Sequence, residues 1–188
     1  MNVVLRHALS VDEFLAWEAR QELKHEFDGA GPVAMAGGTR NHARLQVNIT
    51  TSMATRLRGK PCEFLGSDMK VVMDRTVRYP DGQVVCSPGA GKDTMTRNPT
   101  VLFEVLSDST QSVDRLNKNR EYRAIPSLQR YVMLEQDRIA ATVHARAADG
   151  WMTQILFAGD TLAMPEIGVD LPLDELYEGL DLAAALAG

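Results

Sequence analysis

The sequence predicts a mixed α/β (α+β) fold in a single domain, and three observations lead to this prediction. Short apolar runs of strand length are interspersed with longer segments that have helical periodicity. Glycine, proline and aspartate separate these runs, as is typical of turns. A length of 188 residues with 45% hydrophobic residues suits one well-packed domain over residues 1–188 and is short for two.

Composition narrows the function classes. A net charge of -5 excludes a protein that coats nucleic acid through bulk electrostatics, so any phosphate contact must be local. No segment approaches the roughly 20 apolar residues that a membrane span needs, and the N-terminus lacks the apolar core of a signal peptide, so we expect a cytoplasmic protein. Cys62 and Cys86 lack the spacing of a zinc site and are compatible with reduced thiols, although the sequence does not exclude their pairing.

The first third of the chain predicts a short helix, a hairpin and a long helix. Ser10 and Glu13 match a capping box that opens the first helix. Asp28-Gly29 is a turn signal between two candidate strands. Asn41 is predicted to cap the second helix, in which apolar residues recur every four positions. This apolar stripe consists of Leu45, Ile49, Met53 and Leu57.

The remainder alternates between strands and helices. Strands are predicted over residues 62–65, 69–73, 84–86 and 100–106, with an aperiodic loop over 87–98. A helix over 110–124, capped by Asp108 or Ser109, separates them from strands at 130–134, 139–145 and 151–157. A turn at 158–160 and a short helix after Pro172 complete the chain.

Glu104 conflicts with the strand in which it lies. The two-residue alternation places it on the same side as Leu102 and Leu106, where an unpaired carboxylate is costly to bury. A salt bridge or a position at a strand edge would explain it. A divalent metal ion, which requires such a carboxylate, would also explain it.

Asp81 is the second carboxylate of interest, because it begins a strand directly after Pro80. If that strand neighbours the strand of Glu104, the two carboxylates and the carbonyl oxygen of Val105 supply an oxygen-rich partial shell that Mg²⁺ accepts. Such a site suits phosphodiester cleavage, as in metal-dependent nucleases. Gly82 is expected to loosen the strand that holds Asp81.

Lys118 is the best candidate for a cation beside these carboxylates, since it lies on the helix that follows the Glu104 strand. Tyr122 shares its helix face, four residues further on. Helix spacing alone favours an alternative in which Lys118 forms a salt bridge to Asp114 on a solvated face.

Several segments occur together in a recognisable order. They are LSVDEFLAWE, HEFDG, MAGG, NHARLQVNI, YPD, FEVLSDST and DRLNKNREYRAIPSLQRYVML. In this order, over about residues 9–180, they resemble the Uma-type endonuclease family, a bacterial group within the PD-(D/E)xK, or restriction-endonuclease-like, superfamily. The resemblance implies a central mixed β-sheet flanked by helices, and a Mg²⁺- or Mn²⁺-dependent endonuclease that hydrolyses DNA.

The same resemblance implies roles for individual residues. It makes Asp81 and Glu104 metal ligands, and it makes Lys118 the lysine of the superfamily, supplied from the helix. Glu26 matches an acidic residue that binds metal or positions water, the alternative being an exposed glutamate in a turn. His42 matches a histidine that contacts phosphate or water, unless it only caps or packs.

One departure from the family pattern supports a different function. Leu106 stands where the usual motif has its lysine, so activity depends on Lys118 reaching the site from the helix. This departure and the acidic balance favour a nuclease-like module that binds nucleic acid or a protein and is catalytically weak or inactive. A third possibility is a structural interaction protein in which Glu104 forms an ordinary ion pair.

Partner contacts can also be predicted. Arg40, Arg44 and Lys92 are candidates for contacts to the DNA backbone. An edge strand such as the one over residues 139–145 could pair between subunits, so we expect a homodimer.

Overall fold

The computed structural model describes residues 9–35, 37–87, 89–106 and 112–182, and for residues 112–115 it describes the backbone alone. Helix α1 (Val11–Glu18) opens with the predicted capping box, in which the Glu13 N–H donates to Ser10 Oγ and the Ser10 N–H donates to Glu13 Oε2. Strands β1 (His25–Phe27) and β2 (Pro32–Ala34) form the predicted antiparallel hairpin. Its turn contains Gly29 at φ 87°, a backbone conformation that favours glycine.

Helix α2 (Arg40–Leu57) buries the predicted apolar stripe, which confirms the four-residue periodicity. The predicted cap is wrong, because Thr39 occupies the N-cap position and its Oγ1 accepts a hydrogen bond from the His42 N–H at 3.1 Å. The Asn41 side chain instead donates to the carbonyl oxygens of Gln136 and Asp181. Asn41 therefore ties the start of α2 to distant parts of the chain.

The central part of the chain contains most of the strands and helix α3. The elements are β3 (Glu63–Gly66), β4 (Lys70–Val72), β5 (Val77–Arg78), β6 (Gly82–Val85), β7 (Met95–Thr96), β8 (Val101–Val105), α3 (Ser112–Arg123), β9 (Arg130–Leu134), β10 (Ala140–Ala147) and β11 (Gly150–Phe157). The predicted caps of α3, Asp108 and Ser109, lie outside the described residues. Strands β5 and β7 were not predicted, because two residues are too few to show a periodicity.

Six of these strands form a mixed sheet in the order β11-β10-β9-β8-β6-β3, in which β8 and β9 are parallel and the other pairs are antiparallel. The side chains of β8 alternate between two apolar clusters. Phe103 packs with the buried stripe of α2, whereas Leu102 packs with Tyr122 of α3. The two helices therefore cover opposite faces, which confirms the predicted mixed sheet flanked by helices.

A second sheet has the order β2-β1-β5-β4-β7 and packs against α1 through Phe14, Phe27, Val72 and Val77. The C-terminal part contains β12 (Thr161–Met164), a single 3₁₀ turn (Pro165–Ile167), β13 (Val169–Pro172) and α4 (Leu173–Leu176). Helix α4 is the short helix predicted after Pro172. Its buried leucines join the cluster on the α2 side of the sheet.

Cys62 and Cys86 form a disulfide in the structure, which corrects the expectation of reduced thiols. Strands β3 and β6 pair with Glu63 opposite Val85, so the residues just outside this pair face each other, with their Cα atoms 3.9 Å apart. The strand register brings the two thiols together, and sequence spacing does not reveal this register.

The expected edge strand is also wrong. Strand β10 lies inside the sheet between β9 and β11, and β11 and β3 form the two edges among the described strands. The homodimer stays a prediction. None of the helices in the described part of the chain combines the length and apolarity that a membrane crossing requires.

Candidate active site

The candidate active site lies where β6 and β8 are paired. The register sets Gly82 opposite Phe103, so Asp81 lies across from Glu104, as predicted for neighbouring strands. Asp81 Oδ2 accepts a hydrogen bond from the main-chain N–H of Val105 at 2.6 Å. The strand pairing therefore brings together two carboxylates that are distant in sequence, and the backbone of one strand orients the carboxylate of the other.

Gly82 permits close packing at this point. A Cβ atom on Gly82 would lie 2.4 Å from Cζ and 2.7 Å from Cε2 of Phe64, so the phenyl ring would have to shift. Phe64 also makes an edge contact with Phe103, the residue before Glu104, with ring centroids 6.2 Å apart. The missing side chain makes room for an aromatic ring against the strand, and the expected loosening of β6 stays a prediction.

Glu104 faces α3, and only 11% of its side chain is exposed, so it is a buried residue. Its Oε1 accepts a hydrogen bond from the Tyr122 hydroxyl at 2.8 Å and lies 3.7 Å from Lys118 Nζ. The pKa of Glu104 is raised to about 7, chiefly by burial. The charges of Asp81 and Glu26 also raise this pKa, whereas Lys118 and the hydrogen bond from Tyr122 lower it. The described cations thus leave this carboxylate incompletely compensated at neutral pH.

Lys118 reaches the site from α3, as the leucine at position 106 requires. Its Nζ lies 3.2 Å from Glu26 Oε1 and 3.7 Å from Glu104 Oε1. The ammonium group therefore lies between the carboxylates of two different strands. The alternative salt bridge to Asp114 concerns a side chain outside the described part of the structure.

Glu26 lies in strand β1 and is buried, so the alternative of an exposed glutamate in a turn is wrong. Its Oε2 accepts a hydrogen bond from Arg78 Nη1 at 3.0 Å, and Arg78 also donates to both carboxylate oxygens of Glu121. Arg78 and Glu121 were not predicted. Two features of the sequence could have indicated them. Arg78 lies three residues before Asp81, and Glu121 lies three residues after Lys118 on the same helix face.

Helix α2 contributes two further side chains from its first turns. Gln46 Nε2 donates to Asp81 Oδ1 at 2.6 Å, and His42 Nε2 lies 3.4 Å from the same oxygen. The hydrogen bond to Asp81 raises the pKa of His42, although burial lowers it. A Cβ on Gly38 would lie 2.8 Å from the His42 ring, so this glycine leaves room for the imidazole. Gln46 was not predicted, although it lies one helical turn after His42.

The donor set fits a hard cation such as Mg²⁺. No group of three or more His, Cys, Asp or Glu side chains within residues 9–35, 37–87, 89–106 and 116–182 is placed to hold a metal ion. Asp81 and Glu104 are two carboxylates, and Mg²⁺ is usually bound through one or two carboxylates and keeps several waters, so their role as ligands stays a prediction that this chemistry permits. The incompletely compensated charge of Glu104 also favours a bound cation.

Comparison with solved structures defines the fold class. The crystal structure of a putative nuclease belonging to DUF820 from Anabaena variabilis ATCC 29413 matches with a TM-score of 0.74, covering 89% of this chain and 97% of that chain at 15% sequence identity. The chain therefore has a restriction-endonuclease-like fold.

Sequence comparison then identifies the family. The model of Uma2, described as a putative restriction endonuclease, matches residues 11–174. The uncharacterised protein slr1290 of Synechocystis sp. (strain ATCC 27184 / PCC 6803 / Kazusa) is 36% identical over 176 residues, which cover 92% of this chain and 93% of that protein. The uncharacterised protein sll1609 of the same organism is 30% identical over 141 residues, which cover 72% and 80% respectively. The chain belongs to the Uma2 family, which confirms the resemblance.

Proposed function

We propose that this protein is a metal-dependent endonuclease that hydrolyses phosphodiester bonds in DNA, in the cytoplasm, with Mg²⁺ or Mn²⁺ as its cofactor. Membership of the Uma2 family and the restriction-endonuclease-like fold support a nuclease-like function. The observation that carries the proposal is the pairing of the Asp81 and Glu104 strands, with the Lys118 ammonium 3.7 Å from Glu104.

Asp81 and Glu104 would hold the metal, with the main-chain carbonyl oxygen of Val105 as a third ligand. Such an ion supplies Lewis-acid activation of water and charge compensation at the phosphate. The carboxylates are orientated by the protein itself. Gln46 and the Val105 N–H fix Asp81, and Tyr122 fixes Glu104, so little reorganisation is needed when substrate binds.

Lys118 contributes a positive charge that the protein holds beside Glu104. An ammonium group at this position can donate a hydrogen bond to a phosphate oxygen on which negative charge develops during hydrolysis. Because the charge is already in place before the reaction, its effect on the barrier exceeds that of a mobile solvent cation.

Arg40, Arg44 and Lys92 are the proposed contacts to the DNA backbone, and all three are exposed. Arg40 begins α2 two residues before His42, so it is close to the site in sequence and on the same helix end. Contacts of this kind would weaken as the salt concentration rises, because each neutralised phosphate releases counterions.

Calorimetry with Mn²⁺ tests the metal site. We expect the wild type to bind Mn²⁺ and Glu104→Ala to lose this binding, whereas Glu18→Ala, a matched change at a buried glutamate outside the site, retains it. Equal Mn²⁺ binding by the wild type and Glu104→Ala would refute the proposed ligands.

A cleavage assay tests the reaction. We expect supercoiled plasmid to be nicked or linearised with Mn²⁺ and to stay intact with EDTA. If the wild type with Mn²⁺ binds supercoiled, single-stranded and branched DNA but leaves all three intact, the protein is a nuclease-like binding module without turnover.

A further inference from the structure

Glu26 has both carboxylate oxygens engaged by the protein. Oε1 accepts a hydrogen bond from the main-chain N–H of Tyr79 at 3.1 Å and lies 3.2 Å from Lys118 Nζ. Oε2 accepts a hydrogen bond from Arg78 Nη1 at 3.0 Å. A carboxylate has about four acceptor positions. Three partners therefore define the orientation of this carboxylate closely. They are Arg78 in β5, Tyr79 directly after β5, and Lys118 in α3.

Arg78 links this carboxylate to helix α3. The side chain of Arg78 is 2% exposed, and its Nε and Nη2 donate to Oε2 and Oε1 of Glu121 at 2.8 and 3.0 Å. Glu121 lies three residues after Lys118, on the same side of the helix. One guanidinium thus ties β1 to the turn of α3 that carries Lys118.

We propose that Glu26 is a positioning residue for Lys118, and that Arg78 holds Glu26 in the orientation this requires. The inference rests on the proposed function, because it assigns Glu26 a role within the same site. The family resemblance implied metal binding or water positioning for Glu26, whereas its contacts here are those of an anchor for an amine.

Lys118 needs an anchor because it lies on a helix and not on the strand that carries Glu104. Leu106 occupies the position two residues after Glu104, so the amine comes from a helix and not from the strand itself. A lysine side chain has a flexible four-carbon stem, and its ammonium group is located only as well as its partners locate it. Glu26 supplies a partner that is fixed by a backbone N–H and a buried guanidinium.

A double-mutant cycle separates an anchor from a metal ligand. Cleavage of supercoiled plasmid with Mn²⁺ is measured for the wild type, Glu26→Gln, Lys118→Met and the double variant. We expect Glu26→Gln to lower kcat by up to about 100-fold at unchanged KM, because a small misplacement of a catalytic group has effects of this size. In the Lys118→Met background the same change should have no further effect, since both changes remove one function.

Mn²⁺ calorimetry on the same variants gives a second criterion. An anchor predicts the same Kd for Mn²⁺ in the wild type and Glu26→Gln. A weaker Kd in Glu26→Gln, together with an additional loss of kcat in the double variant, would overturn the proposal and make Glu26 a ligand.

Amine labelling tests the anchor independently of DNA cleavage. Acetic anhydride at a single pH, with mass spectrometry, gives the reactivity of Lys118 relative to that of Lys70, a lysine paired with a different glutamate. We expect this ratio to rise several-fold in Glu26→Gln and in Arg78→Lys, which keeps the charge but loses the fork geometry. An unchanged ratio would overturn the proposal, even if the fold loosened. A wild type that cleaves no DNA but shows this rise would refute the proposed function and still support the anchor.

Discussion

Two buried glutamates of this protein have the same kinds of partner and opposite shifts in pKa. Glu18, at the end of α1, accepts a hydrogen bond from the Tyr79 hydroxyl at 2.5 Å and forms an ion pair with Lys70. Burial raises the pKa of Glu18, but the hydrogen bonds from Lys70 and Tyr79 outweigh burial and leave the pKa below its usual value. Glu104 has a tyrosine and a lysine as well, and its pKa is raised to about 7.

The difference lies first in burial, which is the largest cause of the raised pKa of Glu104 and is outweighed by hydrogen bonds at Glu18, and then in the neighbouring charges. Glu104 shares its surroundings with the carboxylates of Asp81 and Glu26, and both raise its pKa. Lys118 lies 3.2 Å from Glu26 and 3.7 Å from Glu104, so one ammonium serves two carboxylates. In the Glu18 cluster one lysine balances one glutamate. In the Glu104 cluster negative charge is in excess, and this excess favours the binding of a cation. Excess negative charge of this kind, held in place by the fold, is typical of functional sites.

The largest expected difference between the two clusters concerns catalysis. If the protein cleaves DNA as proposed, Lys118→Met removes the positive charge that stands beside the scissile phosphate, so we expect kcat for Mn²⁺-dependent plasmid cleavage to fall by about 10²–10³-fold. Lys70→Met, the matched change in the Glu18 cluster, should leave kcat at the wild-type value in protein that remains folded. Circular dichroism checks the fold of both variants. Equal losses of kcat in the two variants would mean that Lys118 has only a structural role.

The second expected difference is that a Glu→Gln change shifts the unfolding free energy in opposite directions in the two clusters. The unfolding free energy at pH 8 and without metal is measured by urea denaturation. Glu104→Gln removes a charge whose pKa shift from 4.5 to about 7 corresponds to about 3 kcal/mol, so this variant should be more stable than the wild type. Glu18→Gln leaves a buried ammonium without its partner and should be less stable, by about 3 kcal/mol. If both variants are destabilised, the Glu104 cluster is compensated like the Glu18 cluster.

The pH dependence of stability sharpens the comparison. Between pH 4.5 and about 7 the folded protein binds more protons at Glu104 than the unfolded chain does, so the unfolding free energy should fall as pH rises through this range. The slope from one such group is at most about 1.4 kcal/mol per pH unit. Glu18, with its lowered pKa, acts in the opposite direction, and its contribution is lost only as pH falls below the usual value of 4.5.

Urea denaturation from pH 5 to pH 8 measures this slope. Glu104→Gln should show a smaller decline than the wild type, and the decline that remains above pH 6.5 belongs to His42, whose pKa is also raised. Glu18→Gln should retain the full decline. Addition of Mg²⁺ should stabilise the wild type more at pH 8 than at pH 5, because metal and proton compete for the same carboxylate. A decline of the same size in Glu104→Gln as in the wild type would assign the titration to another group.

The two clusters also differ in how far the sequence could predict them. Glu104 was predicted to need compensation, because a carboxylate within an apolar strand breaks the alternation of side chains. Glu18 gave no such signal at the end of an amphipathic helix, where a charged residue is ordinary. Most strands and helices were predicted, but β12 and β13 were not, although their residues alternate between buried and exposed. The pairing that joins Asp81 to Glu104 was a condition of the predicted site, and the structure meets it. Periodicity reports which face of an element is buried, and it says nothing about which partner lies across that face.

Because periodicity does not identify the partners of an element, several contacts could not be predicted from the sequence. Arg78 and Gln46 act through contacts between elements that are far apart in the chain, so their role depends on packing geometry. The disulfide depends in the same way on the register of two strands. Strands β5 and β7 contain two residues each, which leaves no pattern to detect.

The smallest expected difference concerns the two tyrosines. Tyr122→Phe removes a hydrogen bond that lowers the pKa of Glu104, so the pKa should rise and the midpoint of pH-dependent Mn²⁺ binding should move upward, by less than about one pH unit. Tyr79→Phe should leave this midpoint unchanged and lower the unfolding free energy by about 1–2 kcal/mol, since its hydroxyl donates to an ionised carboxylate. Calorimetric Mn²⁺ titrations from pH 6 to pH 8 measure the midpoint in both variants. A downward shift in Tyr122→Phe would mean that the hydroxyl stabilises the protonated form of Glu104 and not its ionised form.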